Sequence, residues 1–218
     1  MSPKSFLLTE PLAAYLAAHN PPVDAVSQSL IDETKALGGV AMMQIAPEQA
    51  AFMAFLARLL HVSFVVEIGT FTGYSALVIA QAMSAGGRVL CCDISEEWTD
   101  IGKRHWEQAG VADRIDLRIA PAIDTLRSLP ATPSIDMAFI DADKAGYIDY
   151  YEELIPRLQP NGVILVDNVL WSGKVLSEDS DDQDTQALRA FNDHVTADDR
   201  VEAVMVPIAD GLTLIRLR

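Results

Sequence analysis

Cysteine is nearly absent: Cys91 and Cys92 are the only two in 218 residues. They adjoin each other inside the apolar run Arg88 to Ile94, where neighbouring side chains of a strand face opposite sides, so buried free thiols are expected and no disulfide framework. A chain of this length buries about 70% of its unfolded surface and folds without such staples, so any metal it holds serves chemistry. Histidine is also scarce. His19, His61, His105 and His194 form no i, i+4 pair and have no flanking cysteine, which leaves zinc sites and histidine triads nothing to build on. Basic residues are few, sixteen against 31 acidic ones, and the net charge of −15 repels a phosphate backbone and excludes nucleic acid as a partner. No 18 consecutive residues are apolar, and Met1 to Thr9 lacks a basic stretch followed by an apolar one. The expectation is a cytoplasmic protein with no membrane partner.

What remains is a composition of 50% hydrophobic and 22% charged residues, ordinary for a packed globular protein. Two helical patterns come first. Val23, Val26, Leu30 and Leu37 recur at helical spacing before Gly38-Gly39, and a second helix over 47–60 starts at Pro47 and is apolar almost all round, hence expected to be buried. From residue 62 short β-branched runs alternate with helical stretches: strands at 62–68, 88–94, 115–119, 135–140 and 163–166, with helices after Gly73, at 95–110, after Pro121 and at 145–158. The last two strands, 201–206 and 212–217, are joined by Pro-Ile-Ala-Asp-Gly211 with no helix between them, which predicts a hairpin. Regular βαβ alternation implies one open, mostly parallel sheet with helices on both faces. No linker or repeat divides the chain, so 1–218 is expected to be a single domain, with 1–60 a helical preface to an α/β core over 61–218. The apolar 47–60 helix needs more cover than one sheet face offers, which predicts a homodimer. The acidic run 178–184 lacks the glycine and closing glutamate of a calcium loop and reads as a solvated loop.

Ligands of such sheets bind beyond the carboxyl ends of the strands. Those ends carry Glu67 with Gly69 and Gly73, then Asp93, the Pro121-Ala122 corner, Asp141 with Asp143, and Asp167-Asn168. Gly69-x-x-x-Gly73 has Phe71 where a dinucleotide fingerprint needs its middle glycine, so a pyrophosphate fits poorly. Asp93, 20 residues beyond Gly73, is nevertheless placed to accept from ribose hydroxyls. A nucleoside without a diphosphate is implied. S-adenosyl-L-methionine meets the requirement: its ribose suits Asp93, its carboxylate suits the following helix N-terminus and Ser75, and its ammonium suits acidic surroundings. A tight turn with a solvated aspartate is the plainer alternative.

Asp141, Asp167 and Asn168 offer only oxygen, the ligand set of Mg²⁺, Mn²⁺ or Ca²⁺, and three protein ligands leave positions open for two neighbouring oxygens of a catechol. Helix capping at Asp141 and a turn at Asp167-Asn168 would account for the same residues. Lys144 could serve there as a base or as a cation beside a phenolate, or lie on the surface; Trp171-Ser-Gly173 could form an aromatic wall with a hinge, or simply pack.

Val66-Glu-Ile-Gly-Thr-Phe-Thr-Gly-Tyr-Ser75, Phe139-Ile-Asp-Ala-Asp-Lys144 and Val166-Asp-Asn-Val-Leu-Trp171 stand in that order at three strand ends. In these motifs the sequence resembles the cation-dependent O-methyltransferases of the caffeoyl-CoA and catechol O-methyltransferase type. The resemblance implies a Rossmann-like class I methyltransferase fold whose seven-stranded sheet ends in an antiparallel hairpin. It also implies cofactor contacts at Met43, Glu67, Gly69, Ser75, Asp93, Ala122, Asp141 and Asp143, and metal ligands at Asp141, Asp167 and Asn168. It further implies a catalytic role for Asp141 and Lys144, a homodimer, and a preface that reaches the substrate mouth. The acceptor expected is a small aromatic diol, with Trp171 against it. Ala120, Gly146 and Ser172 depart from the family pattern, and it is the identity of the substrate that they leave open. Two other readings share the βαβ order: a nicotinamide-dependent oxidoreductase, which would need the missing glycine, and a non-catalytic relative, against which the intact set of oxygen ligands argues.

Overall fold

The computed structural model describes residues 8–177 and 181–218. Three helices come first: α1 (Glu10–His19), α2 (Ala25–Lys35) and α3 (Pro47–Leu59), with a 3-10 turn over Gly38–Met43 before the third. Asp24 caps α2 by accepting from the amides of Val26 and Ser27. β1 (Phe64–Ile68), α4 (Tyr74–Ala82), β2 (Arg88–Asp93), α5 (Glu96–Gln108), β3 (Ile115–Ile119), α6 (Ala122–Ser128), β4 (Ile135–Ile140), α7 (Tyr147–Leu154) and β5 (Leu158–Val166) follow in alternation. The chain closes with α8 (Gln183–Thr196) and the hairpin β6 (Val201–Val206) and β7 (Leu212–Leu217).

One sheet takes all seven strands in the order β3-β2-β1-β4-β5-β7-β6. The first five are parallel, and β7 lies antiparallel to both β5 and β6. Side chains alternate across the sheet as the pleat requires. Val65, Met137, Phe139 and Leu165 face a core shared with α2 to α5, while Val66, Ile68, Ala138, Ile140, Ile164 and Val166 face the core shared with α6 to α8. The strand order reverses between β1 and β4, so a crevice opens beyond their carboxyl ends. Both cysteines are free and buried, as expected.

Several expectations need correction. The α3 helix is buried along one stripe only: Gln49, Ala50, Met53, Ala54 and Ala57 face inward, whereas Phe55 and Leu59 are each 61% exposed. The helix expected over 145–158 stops as an α-helix at Leu154 and tightens to 3-10 over Ile155–Arg157, because Pro156 has no amide hydrogen to continue it. The turn expected at 160–162 is absorbed into β5 as an irregularity, since Ile135 pairs with Leu158 but Met137 pairs with Val163. Of the acidic run 178–184, residues 178–180 lie outside those described, as do residues 1–7, and Gln183 and Asp184 open α8. Neither α1 nor α8 is announced by the periodicity that reveals the others. Residues 38–59 also have the length and mean hydropathy, 1.2, of a membrane-crossing segment, but Gln44 and Ala46 are extended and break it into two pieces.

Candidate functional site

The crevice is lined from the strand ends upward. Gly69 follows β1 with φ +88°, and a Cβ there would lie 1.9 Å from the Asp141 carbonyl oxygen, so only glycine lets β1 and β4 leave the sheet this close together. Gly73 has φ +79° and sits under Trp106, whose indole N–H donates to the Gly73 carbonyl at 3.0 Å. Between these glycines the turn is held by Asp93. Its Oδ2 accepts from the amides of Thr70 (2.9 Å) and Phe71 (2.8 Å), and its Oδ1 accepts from the Ser95 amide at 2.8 Å. Those three bonds leave lone pairs on the carboxylate, so Asp93 can shape the turn and still accept from a hydroxyl. The first turn of α4 has no side-chain cap, and Ser75 is buried within it. Amides at such a helix end suit a carboxylate.

Glu67, on β1, is fully buried and neither carboxylate oxygen has a hydrogen-bond partner. Burial raises its pKa to about 7, although the Ser75 and Thr70 hydroxyls lie near enough to oppose the shift without reaching bonding geometry. A carboxylate buried without a partner near the carboxyl end of β1 fits a ligand that brings an ammonium. The cofactor expected from the sequence has one, next to a carboxylate for the α4 amides and a ribose for Asp93.

The second half of the site lies at the ends of β4 and β5. Lys144 Nζ is 3.3 Å from Asp141 Oδ1, 2.7 Å from Asn168 Oδ1 and 2.6 Å from the Tyr147 hydroxyl. Asp167 Oδ1 accepts from the Asn168 amide at 2.7 Å, and Oδ2 accepts from Gln49 Nε2 at 2.8 Å. Burial, and next the charge of Asp141, lifts Asp167 to about 7; burial also raises Asp141, with Lys144 opposing it. A buried carboxylate whose pKa is raised by the charge of a second one favours a positive charge between the two. The Lys144 ammonium already draws oxygens of Asp141 and Asn168 towards one cation, and the donor set of two carboxylates and an amide oxygen fits a hard divalent ion. Lys144 is itself only 8% exposed, which rules out a surface role.

Lys144 Nζ also lies 5.5 Å from the ring centroid of Trp171, whose indole N–H donates to Asp182 at 3.2 Å. Four of the six non-glycine residues with positive φ among those described, Phe71, Asn168, Trp171 and Ser172, belong to the two loops that line the crevice. Such conformations cost of order 1–3 kcal/mol each and persist where the surroundings impose them. The Ser172 amide, for instance, donates to Asp210 Oδ1 at 2.6 Å.

Other expected residues stand further out. Ala122 opens α6 and is buried; Met43 ends the exposed 3-10 turn and is 44% exposed. Asp143 is exposed, and its carboxylate accepts from the Tyr150 hydroxyl (2.6 Å) and the Gly146 amide (3.1 Å). The same tyrosine explains a departure from the family pattern, because a Cβ on Gly146 would come within 2.6 Å of the Tyr150 ring. Sequence reasoning missed Gln49 and Tyr147, which touch the second half of the site from α3 and α7. It also missed a buried relay in which Thr34 donates to Thr72 at 2.8 Å and Gln44 donates to Thr34 at 2.9 Å, tying the preface to the glycine turn.

Histidine has more company than its spacing suggested. His194 Nε2 lies 2.8 Å from Glu152 Oε1 and shares a cluster with Asp198. Arg200 bridges that cluster, at 2.7 Å from Glu152 and 2.6 Å from Asp198, so the carboxylates are already neutralised by a fixed cation. It is an ion-pair cluster joining α7 and α8 to the hairpin.

Residues 21–218 match the O-methyltransferase family. The chain is 38% identical over 205 residues, 92% of its length and 89% of the relative's, to probable caffeoyl-CoA O-methyltransferase 1 of Dictyostelium discoideum. It is 41% identical over 170 residues to catechol O-methyltransferase domain-containing protein 1 of Mus musculus, covering 77% of this chain and 65% of that one. The SAH-bound methyltransferase of Podospora anserina superposes with a TM-score of 0.89 at 26% identity, over 98% of this chain and 99% of that one.

Proposed function

This chain belongs to the O-methyltransferase family, and on that premise we propose that it moves the methyl group of S-adenosyl-L-methionine to one hydroxyl of a small vicinal dihydroxy aromatic, assisted by a divalent cation. Membership of the caffeoyl-CoA and catechol type, the class I methyltransferase fold and dependence on S-adenosyl-L-methionine are the firm part of this reading. The acceptor and the cation are the extension.

The single observation that carries the extension is that the buried Lys144 draws oxygens of Asp141 and Asn168 together while Asp167, the neighbour of Asn168 in the chain, lies near enough to Asp141 for its charge to raise the Asp167 pKa. On this reading Glu67 receives the cofactor's ammonium, Ser75 and the α4 amides its carboxylate, and Asp93 its ribose. Gly69 gives the backbone room, Met43, Ala122 and Asp143 border the cofactor, and Asp141 touches both halves. The cation, Mg²⁺ first and Mn²⁺ or Ca²⁺ as alternatives, would be held by Asp141, Asp167 and Asn168, and would supply a Lewis acid for the two hydroxyl oxygens. Lys144 stands where it can take the phenolic proton or steady the phenolate, whose pKa is about 10 when unperturbed. Trp171 offers its face to the ring. Most of the rate would come from holding the nucleophile in line with the sulfonium methyl, since the cofactor brings the reactive group.

Residues 1–218 act on this reading as one catalytic domain, in the cytoplasm, as a homodimer. The exposed Phe55 and Leu59 of α3, together with the exposed Tyr15 and Leu16 of the helix α1 that contacts it, support a second copy as their cover. Incubation with labelled cofactor and a panel of catechols, flavonoid diols and caffeoyl thioesters, read by mass spectrometry, tests the acceptor class. Label should enter vicinal diols and not their mono-hydroxy analogues; equal labelling of both would remove the need for two neighbouring oxygens.

A further inference from the structure

Gln49 is a fully buried amide on the inward stripe of α3, among Ala50, Met53, Ala54 and Ala57. A primary amide is a poor tenant of such a stripe unless its hydrogen bonds are met, and here only half of them are. Nε2 donates to Asp167 Oδ2 at 2.8 Å, whereas Oε1 is buried without a partner. Leucine or methionine would fill the same space with no stranded oxygen, so packing does not account for the glutamine. The contact it makes does. Asp167 is 3% exposed and its other oxygen is already fixed by the Asn168 amide, so the Gln49 bond completes the definition of the carboxylate plane. Both donors are neutral. They hold the carboxylate in place without cancelling its charge, unlike Lys144 beside Asp141.

We propose that Gln49 is a positioning residue of the cation site, which sets divalent-ion affinity by orienting Asp167 and makes the N-terminal helix α3 a structural part of that site. The inference rests on the reading that Asp141, Asp167 and Asn168 hold a divalent cation. Residues that hydrogen-bond a metal ligand typically change metal affinity by 10- to 100-fold when replaced.

The test is a Mn²⁺ titration followed by the electron paramagnetic resonance of the free ion, on wild type, Gln49→Met and Asp167→Ala, with S-adenosylhomocysteine binding measured on the same samples by calorimetry. Gln49→Met should raise the Mn²⁺ dissociation constant by about tenfold or more, leave S-adenosylhomocysteine affinity within about twofold, and regain turnover when Mn²⁺ is raised, a shift in metal requirement rather than in kcat. Gln49→Leu provides the same removal should the methionine variant fold poorly. Unchanged Mn²⁺ affinity in a variant, with Asp167→Ala impaired, would overturn the role of Gln49 and leave the cation site standing. A parallel loss of both Mn²⁺ and S-adenosylhomocysteine binding would reduce Gln49 to general packing. Wild type that binds no Mn²⁺, or Asp167→Ala that binds it normally, would overturn the cation site itself and this inference with it.

Discussion

Glu67 sets the electrostatic condition of the proposed cofactor crevice. In the unfolded chain its carboxyl titrates near the ordinary value of 4.5, and burial moves it to about 7 in the fold. Between those values the folded state binds more protons than the unfolded one, so stability of the ligand-free protein falls as pH rises from about 4.5 to 7 and then levels off. Glu67→Gln removes that titration. Its thermal midpoint should match wild type near pH 5 and exceed it at pH 8, by the several degrees that about 1–3 kcal/mol represents in a chain of this size. The same substitution should weaken S-adenosylhomocysteine binding by about tenfold or more, since the ligand's ammonium loses its counter-charge. A variant no more stable at pH 8 would mean that Glu67 is not stranded. At this scale the strand-end residues were readable because parallel strands deliver their last residues to one edge. Gln49 was not: 118 residues separate it from Asp167, and a lone glutamine in an apolar helix has no spacing that announces a partner.

The turn from Gly69 to Gly73 is the element on which the proposed cofactor half depends, and its Thr70 and Phe71 amides are held by one side chain, Asp93. Asp93→Ala removes acceptors from the Thr70, Phe71 and Ser95 amides together with the proposed ribose contact. Cofactor affinity should fall by about 1.5–3 kcal/mol, and the Thr70 and Phe71 amides should exchange with deuterium faster than in wild type. Affinity lost with exchange unchanged would assign Asp93 to the ligand alone. Elements with a clear apolar stripe were legible. The α1 helix was hidden because none of its residues is buried, so no inward pattern marks it. The α8 helix buries Thr185, Leu188, Phe191 and Val195, but the acidic run before it reads as a continuing loop. The expectation of a fully buried α3 failed for a different reason: an all-round apolar helix does not say whether its second stripe is covered by its own chain or by another.

For the whole molecule, that second stripe predicts the assembly. Wild type should be a dimer by light scattering at micromolar concentration, and Phe55→Asp with Leu59→Asp should shift it to monomer, since two buried charges would face a partner's apolar surface. A monomeric wild type would leave the stripe as plain exposed surface. Alternating strands and helices made a mostly parallel sheet with its site at the strand carboxyl ends readable from the sequence, but not the strand order whose reversal between β1 and β4 opens the crevice. The arrival of Gln49 from α3 at Asp167 needed three dimensions.

The central claim is that a cation held at Asp141, Asp167 and Asn168 is required for chemistry and not for folding. It is tested most directly by assaying catechol methylation after EDTA treatment, with and without added Mg²⁺ or Mn²⁺, in wild type and Asp167→Ala. The account predicts that metal-free wild type keeps its fold and binds S-adenosylhomocysteine but turns nothing over, that Mg²⁺ or Mn²⁺ restores it, and that Asp167→Ala stays inactive with either ion. Full activity of the metal-free enzyme towards a vicinal diol would contradict it.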